Sequence, residues 1–171
     1  MSFFEIVSSR HSIRSFKDKA VPQDIIDKIL GAATSAASAG NLQSYRVFVV
    51  TKKDHKRRLA SAAHDQNFIG GASVVFVFCA DPQNSSREYG KRGEELYCIQ
   101  DATISCTYAQ LATHALGLAS VWVGSFDEQM VSDVLQQDSN LRPVAMLVVG
   151  HADEVPEITP RRPLTEIVYR L

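Results

Sequence analysis

Three groups of side chains in this sequence have types and spacing suited to chemistry. The first is Arg10-His11-Ser12-Ile13-Arg14-Ser15-Phe16. In an extended segment alternate side chains share a face, so Arg10, Ser12 and Arg14 point the same way. Two guanidinium forks and a hydroxyl make a grip for a phosphate or carboxylate, and Ile13 and Phe16 are left to pin the segment to a core. A second basic pair, Arg161-Arg162, sits between Pro160 and Pro163, which stiffen it. If that tail folds back, both clusters converge on one dianion. Spacing alone also allows ordinary surface ion pairs, which are the commoner case. The second group is Ser38-Ala39-Gly40-Asn41-Leu42-Gln43. Small residues let a ligand approach the backbone, and the two amides donate and accept, which suits the edge of a planar heterocycle. A helix C-cap with left-handed Gly40 is the competing reading. The third runs from Gly117 to Phe126. A strand that ends in Gly124 can lay main-chain groups against a ring, whereas Trp122, the single tryptophan, reads as core.

What is missing narrows the chemistry. GxGxxG, Walker A, HExxH and GxSxG patterns are all absent, and the five histidines at 11, 55, 64, 114 and 151 lack ligand spacing. Dinucleotide-fold, P-loop, metallohydrolase and serine-hydrolase readings therefore have no support. Lys and Arg total 18 against 19 Asp and Glu, so no global field draws nucleic acid or an anionic membrane. An anion site must be a local cluster. Three cysteines without CxxC spacing point to a reducing compartment. With no secretory pattern at the N-terminus, the expected location is cytoplasmic.

The elements that must position these groups follow from apolar periodicity. In 171 residues, 45% hydrophobic and 22% charged, one globular domain over 1–171 is expected. Phe3, Phe4, Ile6 and Val7 predict a short first helix, and Ile25, Ile26, Ile29, Leu30 and Ala33 a second after Pro22. Strands are predicted at Arg46–Thr51, Ser73–Ala80, Ala119–Val123 and Pro143–Val149. A third helix opens in Lys52–Arg58, and Asp127–Gln137 is a short one. Asp81–Ser86 reads as a turn before a long helix from Glu88 to Leu116, ended by Gly117. From Ala102 to Phe126 there is no charged residue, yet the segment is too polar to span a bilayer. A helix uncharged on all faces is a buried one, and in so short a chain that suggests a partner subunit. The expected fold is α+β: a small, mostly antiparallel sheet flanked by helices, with a long buried interface helix.

Taken in order, these blocks resemble the nitroreductase family of flavin-dependent oxidoreductases. Arg10, Ser12 and Arg14 match its opening Arg-x-Ser-x-Arg. Ser38, Ala39, Asn41 and Gln43 match its Ser-Ala-x-Asn-x-Gln block. Asp101-Ala102 matches the start of its buried helix, and Leu116, Gly117, Leu118, Trp122 and Gly124 match Leu-Gly-Leu-x-x-x-Trp-x-Gly. Gly150, Pro156 and Arg161 to Leu164 match the closing tail. The resemblance implies FMN as cofactor. Arg10, Ser12, Arg14 and Arg162, with Arg161, would hold its phosphate, and His11 lies in the same segment. Ser38, Ala39, Asn41 and Gln43 would meet the flavin, often from the other subunit of a homodimer. Val123 and Gly124 would offer main chain at the reactive edge, and Gln66 is a further candidate for a flavin contact. No catalytic side chain and no metal are implied, because the flavin carries the chemistry. The implied reaction passes reducing equivalents from NAD(P)H through FMN to a small-molecule acceptor (a nitroaromatic, a quinone or a similar conjugated electrophile) by a ping-pong cycle. A flavin-binding carrier or sensor without turnover is the alternative. The chain departs from the family at Ala37, where a proline is usual, and at Ser44-Tyr45, where Pro-Trp is usual. It is also short, without the helical insertion that covers the flavin in longer members.

Overall fold

The structure, a computed structural model, describes residues 1–137 and 140–171. Four strands form one sheet: β1 (Tyr45–Val50), β2 (Val74–Ala80), β3 (Ala119–Val123) and β4 (Arg142–Gly150), in the order β1-β2-β4-β3 with every pair antiparallel. The predicted strands and the largely antiparallel sheet are thus borne out, each within a residue or so of its expected ends.

β2, Val-Val-Phe-Val-Phe-Cys-Ala, is buried along its whole length. It has a strand on either side and helices above and below, so alternation has no solvent face to show. Val74, Phe76 and Phe78 face α2 (Gln23–Thr34) and α6 (Cys98–Ala115). Val75, Val77 and Cys79 face α3 (Lys53–Ala62), α4 (Phe68–Gly71) and α7 (Glu128–Leu135). The result is a sheet between two helical layers. Truncation of Phe76 or Phe78 to alanine costs about 3–5 kcal/mol in such a site.

α1 (Phe3–Ser9) starts with a capping box in which Glu5 N–H donates to Ser2 Oγ at 3.3 Å and Ser2 N–H donates to Glu5 Oε2 at 2.6 Å. From α1 the chain runs extended along the outer edge of β3. Ser12 bridges Ser120, Ile13 N–H donates to Ser120 O at 3.1 Å, and Phe16 bridges Ala152. Ile13 is buried and Phe16 packs on the core, as the sequence led one to expect.

The long helix differs from its expected form at its start. It begins upstream, as α5 (Pro82–Arg92), so the stretch read as a turn is helical. Asp81 caps it by accepting Asn84 N–H at 3.0 Å, and Pro82 occupies the first position, where proline is favoured. Gly90, at φ 52° and ψ −140°, breaks the run, and a π-helical turn, Gly93–Tyr97, joins α5 to α6. Within one chain α6 leaves one face open, in keeping with the interface helix expected from its uncharged sequence. Asp101, Ala102, Ser105, Cys106, Ala109 and Thr113 are buried, but Ile104, Thr107 and Tyr108 are exposed. Small side chains let α6 approach α2 closely enough for Ser105 Oγ to donate to Ala33 O at 3.0 Å. Among the described residues no helix is long and apolar enough to cross a membrane.

Candidate functional site at the two ends of the long helix

The first chemical group gathers where α6 ends. Ser9 Oγ lies 2.8 Å from His114 Nε2, which ties the end of α1 to the last turn of α6. Beyond it Arg10, His11, Ser12 and Arg14 line a cleft of about 550 Å³ whose other wall is the tail, including Glu154, Pro156 and Arg161. The tail is held by backbone pairing. Asp153 N–H donates to Ser15 O at 2.9 Å, and Lys17 N–H donates to His151 O at 2.9 Å. Glu154 Oε1 accepts the Arg14 N–H and, at 3.2 Å, the Ser15 N–H.

The cleft is electrostatically incomplete. Burial and then repulsion from Arg161 lower the pKa of Arg10. Burial and then Arg10 and His11 lower that of His114. Like charges left face to face are relieved by an anion between them. Arg162 is not among the residues of the cleft. Its guanidinium pairs with Glu166 at 3.0 Å, one helical turn further on. Of the pair between Pro160 and Pro163, only Arg161 lines the cleft.

The second group lies at the other end of α6. Ala39–Asn41 form a 3-10 turn, and Gly40, Asn41 and Gln43 all have left-handed backbones, with φ of 54°, 58° and 49°. A Cβ at Gly40 would also stand 2.3 Å from Tyr89 Oη, so the tyrosine would have to shift. The loop is latched from below by Asp101, only 2% exposed. Its two carboxylate oxygens accept Ala39 N–H at 3.0 Å and Ser44 N–H at 3.2 Å. A proline at position 44 would lack that second donor. Gln43 N–H donates to Ser38 Oγ at 3.0 Å, and the Gln43 side-chain amide donates to Asn41 O at 2.9 Å. Asn41 and Gln43 remain exposed. Gly40 is no helix C-cap, since α2 ends at Thr34 and is capped by Ser35.

Asp101 is the main residue that sequence reasoning missed as a site element, having been placed at the start of the helix. It lies in the first turn of α6, but the helical run begins far upstream. The available signal was a carboxylate at the border of the long uncharged stretch, where only a strong buried partner repays its desolvation. His114 and Glu154, also missed, are visible only once the termini fold onto α6.

The third group lies on β3. Ser120 pairs with Ser12, and Gly124 is four residues along, about 13 Å at strand rise. Val123 is buried and Gly124 exposed. Asp127 N–H donates to Ala62 O at 2.9 Å, and this ties the loop after Gly124 to the turn carrying Gln66, whose amide donates to Ala63 O at 2.9 Å. Trp122 is half-buried and packs on the α2/α6 side of the core. The three cysteines are free and buried, with Cys79 pushed up to about 12 by burial. They are inert packing groups rather than nucleophiles.

Known proteins resemble this chain over nearly its whole length. The family model described as Nitroreductase family matches residues 7–70 and 64–151. The NADPH-dependent FMN reductase of Bacillus subtilis is 27% identical, over 96% of this chain and 72% of that protein. The oxygen-insensitive NADPH nitroreductase of Salmonella typhimurium is 25% identical, over 96% of this chain and 72% of that protein. The solved structure of Bacillus megaterium NfrA2 superposes with a TM-score of 0.91 at 29% identity, covering 99% of this chain and 74% of that one. The chain has the nitroreductase α+β fold, and it belongs to the Nitroreductase family of NAD(P)H-dependent oxidoreductases.

Proposed function

We propose that this protein binds FMN between two copies of the chain, as a single flavin-binding unit over residues 1–171. The proposed activity is oxidation of NAD(P)H with reduction of a nitroaromatic, quinone or similar conjugated acceptor. The observation that carries the reading is the placement of the two ligand-type clusters. Asp101 and His114 are thirteen residues apart on α6, about 20 Å at helical rise, so one chain holds the amide loop and the cationic cleft too far apart to share a ring. Thr107 and Tyr108 lie midway, on the exposed uncharged stripe with Ile104. A second copy whose α6 crosses antiparallel there sets its Ser38–Gln43 loop against this chain's cleft, and two such sites form per dimer.

The donor set fits FMN. Arg10, Arg14 and Arg161 with the Ser12 hydroxyl offer charge-assisted donors to a phosphate dianion, and the extended backbone leads from there to Val123 and Gly124. Bound there, FMN would supply the two-electron redox chemistry of a ping-pong exchange between NAD(P)H and acceptor. The chain's own work is positioning. Arg10, Arg14 and Arg161 fix the phosphate, and His11 and His114 border it. Asn41 and Gln43 of the partner loop present amides to the heterocycle edge, where donated hydrogen bonds favour negative charge. Val123, Gly124 and Gln66 border the opposite end of the ring.

The visible absorption spectrum of the purified protein, repeated on ligand released by heat, tests this. Flavin bands, with a released species that phosphatase converts to riboflavin, are expected. A colourless protein that fails to take up added FMN overturns the reading. NADH or NADPH oxidation by the flavin-loaded protein, with an acceptor panel, separates an enzyme from a carrier.

A further inference from the structure

The chain builds a second cationic cleft, of about 350 Å³, that shares no residue with the arginine cleft. Lys17, Asp18 and Lys19 come from the segment after Arg14, Lys53 and Lys56 from α3, and Gly70–Gly71 from the end of α4. Lys56 is 8% exposed. Its ammonium donates to Ala72 O and, at 3.3 Å, to Ser73 O, which closes the C-terminal end of α4. A third N–H is left over. Among the described residues no ion pair engages Lys17, Lys19, Lys53 or Lys56. Burying an ammonium without a counter-ion is costly. Burial and then Lys53 lower the pKa of Lys56, and Asp18 opposes them. Four cations thus face one carboxylate around a polar concavity.

We infer that this cleft is a second anion site and that it takes a phosphate group, with the ammonium groups of Lys53, Lys56, Lys17 and Lys19 closing on its oxygens. Compact ammonium groups on flexible stems act as point charges and tolerate a rotating phosphate. The inference stands on residues outside the proposed flavin site. The same chemistry has two sources, free inorganic phosphate or pyrophosphate, and the 2′-phosphate of NADPH.

The test is isothermal titration of the full chain with inorganic pyrophosphate, once with FMN added and once in an Arg10→Ala/Arg14→Ala background. Binding is expected in both, and Lys19→Ala/Lys53→Ala lowers it by about tenfold or more. Both lysines are exposed, and a thermal melt checks that the doubly substituted chain folds. Absence of pyrophosphate binding when the arginine cleft is filled or removed overturns the inference, as does binding that ignores the lysine substitutions. Loss of flavin with retained pyrophosphate binding would instead count against the proposed function alone. A KM for NADPH that rises in the lysine variant while that for NADH stays put identifies the 2′-phosphate as the source. An unchanged ratio with lost pyrophosphate binding identifies free phosphate.

Discussion

The two ends of α6 solve opposite electrostatic problems. At the N-terminal end one buried carboxylate, Asp101, meets two backbone N–H groups and makes a rigid loop of neutral amides. At the C-terminal end several cations converge with only Glu154 and Glu157 among them, and their charges repel. The first end is complete without a ligand, because its charge is satisfied inside the chain. The second is held in shape by backbone pairing, by the Ser9–His114 contact and by Glu154, and it leaves its charge for something else to neutralise. Rigidity at the first end thus comes from a buried charge, and repulsion at the second from charges that face one another.

The comparison can be broken most severely between the ends. Ile104→Asp/Tyr108→Asp places charge on the uncharged stripe of α6 and should separate the copies. Size-exclusion chromatography should then report a monomer of unchanged circular dichroism, with flavin affinity down about a hundredfold. A monomer that retains full flavin affinity would place both clusters in one chain's site. Asp101→Ala should come next. Two buried N–H groups lose a charged acceptor, so urea denaturation should show a loss of about 3 kcal/mol, and flavin binding should weaken even in protein that remains folded.

Arg14→Ala should act on the other end without touching the fold. Loss of one charge-assisted partner predicts FMN affinity down about tenfold or more, with riboflavin, which lacks the phosphate, unaffected. Arg162→Ala should change FMN affinity by less than about twofold, since its partner is the exposed Glu166. Equal losses for the two arginines would mean that the tail rearranges on binding. The smallest effect concerns His114. Its pKa in the folded protein lies below the ordinary value, so the folded chain holds fewer protons than the unfolded one. Its contribution to stability is therefore present above about pH 6.5 and is lost as pH falls toward the folded value. His114→Gln should flatten that slope in denaturation curves taken across pH 5 to 7. A phosphate beside Arg10 should flatten it too.

Much of this was legible in local pattern. The strands of β2 and β4 are apolar runs too short for helices, and the extended arginine segment was readable because Ile13 and Phe16 interrupt it at the positions that turn inward. The helical start at Pro82 was missed, although Asp81 before proline is a cap signal, because Gly90 and the turn residues around Asn84 mimic a loop. The uncharged sequence of α6 signalled a burial that one chain alone does not supply, since Ile104, Thr107 and Tyr108 stay exposed within it. Composition reports only that a face avoids charge, and a face kept for a second copy avoids it equally.

The residue types by themselves determined the fold class, the family and the chemistry on offer: guanidinium forks, amides beside small residues, and a glycine-ended strand. Those properties follow from side-chain identity and short-range periodicity, which one chain carries in order. Only the tertiary structure decided that Arg161 rather than Arg162 joins the cleft, that Asp101 latches the amide loop, that four lysines share a second cavity, and that the loop and the arginines stand at opposite ends of one helix. Those are distances between residues far apart in sequence, and they are set by how the sheet and α1 pack on α6 and how the tail pairs with the arginine segment.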